Sequence, residues 1–309
     1  MAKVVISEFM DEAAVEDLRG GFDVVYDPTL IDDPERLARE LADADAILLR
    51  NRTQLRGALL DGAKALKAVG RLGGGLDNID LEACKARGIS VLPASGANDI
   101  CVAEYVIASA LALYRGAIFG RDRMIAGEWP RQEMSGHELS GKTLGLVGFG
   151  SISRATARRA RVLGMQVAAF DPFVPAGHPA WRETRRHEDL RQLMAEADII
   201  SIHVPLTDGT YHLIDAPMLA RAKPDAIVIN AARGGIVDED ALVAALRAGR
   251  LHGAALDVFE TEPLTAEAGA KFAGIENLIL TPHIAGLTGE ANIRVSTLTV
   301  ENIRKALCG

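Results

Sequence analysis

Three side chains in the second half of this 309-residue sequence could together move a proton and grip an acid: Arg233, Glu262 and His283. Each follows a short apolar run, after Ala226–Asn230, Gly253–Leu256 and Leu278–Thr281 respectively. An arginine's planar fork can hold a carboxylate bidentately and polarise the carbonyl beside it. A histidine can exchange a hydroxyl proton near neutral pH. A glutamate bonded to the other ring nitrogen would fix the tautomer and make the ring more basic. Taken singly, Arg233 and Glu262 read as well as surface ion-pair partners, and His283 as a turn residue. Together at strand ends, they indicate catalysis.

The motif that decides the setting is Lys142-Thr-Leu-Gly-Leu-Val-Gly148-Phe-Gly150-Ser-Ile-Ser-Arg154. An apolar strand enters Gly148-Phe149-Gly150, a helical stretch over 152–163 follows, and a second strand, Met165 to Phe170, ends on Asp171. Strand, Gly-x-Gly, helix, strand and acid make the sequence form of a dinucleotide-binding βαβ unit. Gly148 permits the tight turn, and Gly150 lets backbone approach a pyrophosphate. Ser151 and Ile152 open the helix with unbonded amides for the anion. Asp171 would accept a ribose hydroxyl. Ser153 stands where a third glycine is expected, adding one CH2OH group against the strand. Asp171 would repel a 2′-phosphate, and Pro172 and Phe173 bring no arginine, so NAD(H) is expected over NADP(H).

The elements that must position these groups alternate strand and helix along the whole chain. In the first part, strands are expected at Val4–Ser7, Asp23–Tyr26, Ala46–Leu49, Ala68–Arg71 and Ile89–Leu92, with helices at Asp11–Arg19, Pro34–Leu41 and Leu55–Ala63. A long, apolar helix from Asn98 to about Ala126 reads as a link between domains that also packs on a partner subunit. The second series has strands at 143–147, 166–170, 199–203, 226–230, 253–256 and 278–281, and helices at 152–163, 188–196, 215–222 and 238–248. A last amphipathic helix, Glu290 to Leu307, is expected to cross back and cover the first domain. The fold class is therefore α/β, with two doubly wound parallel-sheet domains. One comprises residues 1–97 with 287–309 and the other residues 98–286, with a cleft between them.

Composition narrows the class further. The chain is 49% hydrophobic and 25% charged, with a formal net charge of −8, which argues against non-specific nucleic-acid binding. Three scattered cysteines, Cys84, Cys101 and Cys308, suit a reducing compartment, and no secretory signal or membrane span is evident. A cytoplasmic location is expected. Seven histidines without a paired spacing argue against a metal-dependent dehydrogenase.

With these residues in view, the chain resembles the D-2-hydroxyacid dehydrogenase family over nearly its full length. The likeness rests on Gly73-Gly-Gly-Leu-Asp-Asn-Ile-Asp80, Glu138 to Gly145, Gly148-Phe-Gly-Ser-Ile152, His203-Val-Pro-Leu-Thr207, Asn230-Ala-Ala-Arg-Gly-Gly-Ile-Val-Asp238, Ala255 to Pro263 and Thr281-Pro-His-Ile-Ala-Gly286, in that order. It implies a Rossmann NAD-binding domain and a flavodoxin-like substrate domain. It also implies NAD-linked interconversion of a 2-hydroxy acid and its 2-keto acid, and a homodimer. By the same resemblance Arg233 orients the substrate, His283 is the acid–base and Glu262 its partner. His203, Val204, Pro205, Thr207, Ala231, Asp257 and His283 would line the cofactor, with Asp257 on the nicotinamide carboxamide. Backbone amides of Leu72, Gly73 and Gly74 would hold the substrate carboxylate. Glu262 stands where formate-oxidising members carry glutamine, which counts against formate.

Arg50, Asn51 and Arg52 follow a first-domain strand, and by the resemblance Arg131 occupies a position that helps hold the phosphate in phosphoglycerate dehydrogenases; together they suggest a substrate with a second anionic group, of the 3-sulfolactate or 3-phosphoglycerate class. The Arg50-Asn-Arg-Thr53 turn and the Ile6-Ser-Glu-Phe-Met-Asp-Glu12 segment most resemble members acting on sulfolactate. A surface role for Arg50 or Arg52 is the alternative. Hydroxypyruvate or glyoxylate reduction is the runner-up activity. An NAD(H)-sensing interaction protein is the reading from another class.

Overall fold

The computed structural model describes residues 1–309, except for the side chains of 117 and 118. The chain divides into two compact units, Met1–Asn98 with Gly286–Gly309, and Asp99–Ala285.

Unit 1 holds five parallel strands, β1 (Lys3–Ile6), β2 (Asp23–Tyr26), β3 (Ala46–Leu49), β4 (Ala68–Arg71) and β5 (Ser90–Pro93), in the order β2-β1-β3-β4-β5. Side chains alternate between two covered faces, as a doubly wound sheet requires. Val4 and Ile6 pack with Val15 and Leu18 of helix Glu12–Arg19 and with Val295, Val300 and Ile303 of helix Gly289–Cys308. Val5 points the other way, toward Leu37 and Leu41 of helix Pro34–Leu41 and Leu60 of helix Gly57–Gly62. Asp11, Asp33 and Asp80 cap helices by accepting an amide hydrogen three residues on. The strand order reverses between β1 and β3, and open parallel sheets bind ligands beyond strand ends at such a point. Glu8 follows β1 there, and Arg50–Thr53 follow β3.

Unit 2 holds seven parallel strands, β6 (Thr143–Val147), β7 (Gln166–Phe170), β8 (Arg185–His187), β9 (Ile199–Ile202), β10 (Ile227–Asn230), β11 (Gly253–Leu256) and β12 (Leu278–Leu280). Their order is β12-β11-β10-β9-β6-β7-β8, reversing between β6 and β9. Leu144 and Leu146 face Val106, Ala110 and Tyr114 of helix Asp99–Arg115, and Ala157 and Ala160 of helix Ser151–Val162. Val147 lies in the opposite layer, with Leu193 and Met194 of helix Leu190–Glu196 and Leu242 and Leu246 of helix Glu239–Arg247.

The anticipated strands form with ends shifted by at most one residue. Two expectations need correction, and two elements were not anticipated. The helix from Asn98 does not run to 126: it ends at Arg115, where Gly116 turns left-handed at φ 59°, and a 3-10 turn and helix Arg121–Ile125 follow. Helix 215–222 shrinks to Ala216–Leu219. Helix Leu81–Ala86 was not anticipated, nor was strand β8, whose Arg-Arg-His at a sheet edge carries no apolar run.

The returning helix sits directly on β4. A Cβ added to Gly70 would lie 2.8 Å from Thr299 Cγ2 and 3.1 Å from Ile303 Cγ1. Gly70→Val should therefore destabilise unit 1 by about 1–3 kcal/mol through overpacking, read as a lower urea midpoint. An unshifted midpoint would mean that the helix yields freely at this contact.

Candidate active site

The nucleotide turn is built by close approach. Gly148 has φ +90°, and a Cβ there would meet the His203 carbonyl oxygen at 2.7 Å and Val204 Cγ1 at 2.9 Å. Only glycine lets β6 turn against the end of β9 in this way. Gly150 is the opposite case, with nothing within 4 Å of its would-be Cβ. It caps helix Ser151–Val162 without a side-chain hydrogen bond, so the first-turn amides remain for an anion. Ser153 is fully buried and its hydroxyl donates to the Gly148 carbonyl at 2.7 Å. The residue that departs from the glycine fingerprint thus ties the helix to the turn. Asp171 is half-buried and fixed to the same turn: Oδ2 accepts from the Phe149 amide at 2.8 Å, and Oδ1 from Phe173 at 2.8 Å and Val174 at 3.2 Å. Its remaining lone pairs suit ribose hydroxyls. These residues fit a dinucleotide.

The 203–210 loop is held largely by itself. His203 Nε2 lies 2.9 Å from Ser201 Oγ, and burial pushes this imidazole down to about 4, so it is neutral at pH 7. Thr210 Oγ1 donates to the Pro205 carbonyl at 2.7 Å and accepts from the Thr207 amide at 2.7 Å.

The structure brings His283 and Glu262 together. His283 Nδ1 is 2.7 Å from Glu262 Oε2, and Glu262 Oε1 accepts from the Phe259 amide at 3.0 Å. Burial pushes the Glu262 carboxyl up, but the His283 bond and charge, the Phe259 amide and the Arg233 charge outweigh it and hold it below its ordinary value. An ionised carboxylate only accepts, so the neutral imidazole keeps its proton on Nδ1 and offers the Nε2 lone pair. Among the described residues Nε2 has no partner.

Asp257 holds the turn that carries His283. It is 1% exposed; Oδ1 accepts from the Thr281 hydroxyl at 2.6 Å and the Ile284 amide at 2.8 Å, and Oδ2 from the Ala285 amide at 2.8 Å. The His283 amide donates to the Asp257 carbonyl at 2.8 Å, with His283 in the left-handed region at φ 56°. Because Thr281 donates to Asp257, it accepts from Tyr105, whose oxygen lies 2.6 Å away on helix Asp99–Arg115. Burial pushes the Tyr105 phenol up, so it stays protonated.

Arg233 is brought to the pair by its neighbours. Buried Asn230 accepts the Ala232 amide at 3.1 Å and donates to the Arg233 carbonyl at 2.9 Å. A Cβ on Gly234 would fall 1.7 Å from the Phe259 carbonyl oxygen, so the Arg233 turn lies backbone to backbone against the segment leading to Glu262. Ala231 sits half-buried at the start of this turn.

This arrangement can clamp a carboxylate, exchange one proton at Nε2 and sit beside a nucleotide, all within residues 99–285. The NAD-binding domain model of the D-isomer specific 2-hydroxyacid dehydrogenases matches residues 107–285. The chain belongs to this family. It is 56% identical over 307 residues, 99% of either chain, to the (S)-sulfolactate dehydrogenase of Chromohalobacter salexigens. It is 37% identical over its full length to the D-3-phosphoglycerate dehydrogenase of Methanocaldococcus jannaschii, spanning 58% of that relative. The crystal structure of TT0316 protein from Thermus thermophilus superposes with a TM-score of 0.88 at 32% identity, covering 99% of this chain and 97% of that one. The protein is an NAD-dependent 2-hydroxyacid dehydrogenase, interconverting a 2-hydroxy acid and its 2-keto acid.

The substrate-side expectations fare less evenly. The Leu72 amide already donates to the Leu49 carbonyl, and the Gly73 amide to that of Arg71, both at 2.8 Å. Leu72 continues the β4 ladder and Gly73 closes a tight turn, so of the three amides assigned to the carboxylate only that of Gly74 has no backbone partner among the described residues. Arg50 Nε donates to the Phe9 carbonyl at 2.6 Å, and its Nη2 to Asn292. Arg52 pairs with Asp32 at 2.6 Å on the surface. Asn51 and Arg131 are exposed.

Spacing alone did not reveal Glu8, Asn78, Tyr105 or the His212, Asp238 and Glu260 group. In that group His212 Nε2 lies 3.1 Å from Glu260, a histidine–carboxylate bond between two loops.

The Glu262 shift has a measurable sign. Because its folded value is depressed, its contribution to stability is complete above the ordinary glutamate value and lost as pH falls through the folded one. The gap in Tm between the wild type and Glu262→Gln should narrow from about pH 6 to about pH 3.5. A constant gap would mean that ionised Glu262 adds nothing.

Proposed function

We propose that this dehydrogenase acts on a D-type 2-hydroxy acid with a second anionic group, (S)-3-sulfolactate foremost. The observation that carries this reading is the acid–base pair beside Arg233 in a chain that is 56% identical, end to end, to an (S)-sulfolactate dehydrogenase. The stereochemical label is no obstacle. A sulfomethyl group outranks carboxylate in naming priority, so the hand called R in D-lactate is called S in sulfolactate.

In this reading Arg233 binds the substrate carboxylate through its planar fork and polarises the C2 oxygen. His283 Nε2 takes the hydroxyl proton on oxidation and returns it on reduction, while Glu262 stabilises the imidazolium formed. NAD, when bound, supplies hydride exchange at C2. Its pyrophosphate is assigned to the amides of Gly150, Ser151 and Ile152, and its ribose to Asp171. The segment from His203 to Thr207 and Ala231 is assigned to the remainder of the cofactor. Asp257 positions His283 and is assigned to the carboxamide. The Gly74 amide is assigned to the substrate carboxylate, and Arg50, Asn51, Arg52 and Arg131 to the second anionic group.

Two further assignments complete the reading. The exposed apolar side chains of Phe119, Met124, Ile125 and Trp129 support a homodimer surface. Light scattering should then give twice the 32.9 kDa chain mass, and a monomer at working concentrations would remove this assignment. Cys84, Cys101 and Cys308 form no disulfide among the described residues, which suits a cytoplasmic location.

The deciding assay compares 3-sulfolactate, 3-phosphoglycerate, malate, glycerate and lactate with NAD. We expect the highest kcat/KM on 3-sulfolactate. His283→Ala should cut kcat by about 10²–10⁴-fold while NADH still binds. Preference for lactate or glycerate would sink the dianion reading, and loss of NADH binding would make His283 structural.

A further inference from the structure

The turn after β3 is more deliberately built than its exposed position requires. Glu8, at the end of β1, is only 4% exposed. Its Oε1 accepts the Arg50 amide at 3.0 Å and the Thr53 amide at 2.9 Å, and its Oε2 accepts the Arg52 amide at 3.3 Å. From the other side Asn78, 6% exposed, donates from Nδ2 to the carbonyls of Arg50 at 2.8 Å and Thr53 at 2.7 Å. Ser7 and Thr53, both fully buried, join hydroxyls at 2.9 Å beneath the turn. Six side-chain bonds thus reach Arg50, Arg52 and Thr53 of this four-residue turn, and none of them is part of the sheet ladder.

A carboxylate is a costly way to hold a surface loop, since burying it requires donors or a counter-charge. Here it receives three amides and stands near the partly buried Arg50 guanidinium. The guanidinium is aimed in turn by the Phe9 carbonyl and Asn292. The turn lies beyond the carboxyl ends of β1 and β3, the two strands between which the sheet order reverses. Rigid placement there matters only if the turn must meet something of fixed shape and charge.

We propose that Glu8 and Asn78 are positioning residues for substrate selectivity, fixing the Arg50–Thr53 turn so that it recognises the second anionic group of the substrate. This rests on the dianion reading above. Asn78 carries no charge, so it separates positioning from the field that Glu8 exerts on Arg50.

The test measures kcat/KM for 3-sulfolactate and for lactate in the full-length enzyme, its Glu8→Gln and Asn78→Ala variants, and Arg50→Ala. Both positioning variants should lower the sulfolactate-to-lactate ratio at least fivefold, through KM, as should Arg50→Ala. Equal losses on both substrates, an unchanged ratio, or failure of both variants to give folded, NADH-binding protein would overturn the proposal. So would a raised ratio in Glu8→Gln with no change in Asn78→Ala, which would mean that Glu8 acts through charge alone. If Arg50→Ala lowers the ratio and the other two do not, the substrate reading stands and the positioning role falls. If the wild-type enzyme does not prefer sulfolactate to lactate, the reading itself fails.

Discussion

The buried carboxylate of Asp257 is the constraint on which the chemistry in unit 2 depends. A fully desolvated anion must be satisfied by donors, and the donors it recruits are the Thr281 hydroxyl and the amides of Ile284 and Ala285. Taking those partners wraps the chain around the carboxylate and places His283, which lies between Thr281 and Ile284 after Pro282, in a left-handed conformation. The ring then reaches Glu262, which is tethered to the Phe259 amide and so belongs to the loop after the same strand, β11. One strand end therefore fixes both members of the pair.

The glycines of unit 2 serve the same economy of space. Gly148 and Gly234 each stand where a methyl group would strike a neighbouring backbone carbonyl, of His203 and Phe259 respectively. The first brings the nucleotide turn against the loop after β9, and the second brings the Arg233 turn against the loop after β11. Adjacent strand ends are thereby packed backbone to backbone, and the functional side chains inherit their spacing from the sheet.

Most of the fold was legible because buried parallel strands are short, nearly unbroken apolar runs, and the helices between them begin with acidic caps. What escaped had a physical reason. Strand β8 is an edge, so Arg185 and its neighbours owe nothing to a core. The break after Arg115 depends on a left-handed Gly116, one glycine in an otherwise helical stretch. In the site, residue types announced the chemistry but not the hydrogen-bond state. Nothing in Leu72-Gly73 says that both amides are already engaged. Glu8 meets the Arg50–Thr53 turn only because β1 and β3 are neighbours, about forty residues apart in sequence, and Asn78 meets it because β4 lies on the other side of β3.

Ser153 carries a consequence of its own. A glycine at that place gives a helix freedom to slide closer to its strand, whereas the Ser153 hydroxyl bonds the Gly148 carbonyl and fixes the helix at one height. The amides at the start of that helix then stand at a set distance from the turn before any nucleotide arrives. A pyrophosphate bound there, as proposed above, would meet amides already in place, so the entropy of ordering the turn would be spent during folding rather than at each catalytic cycle.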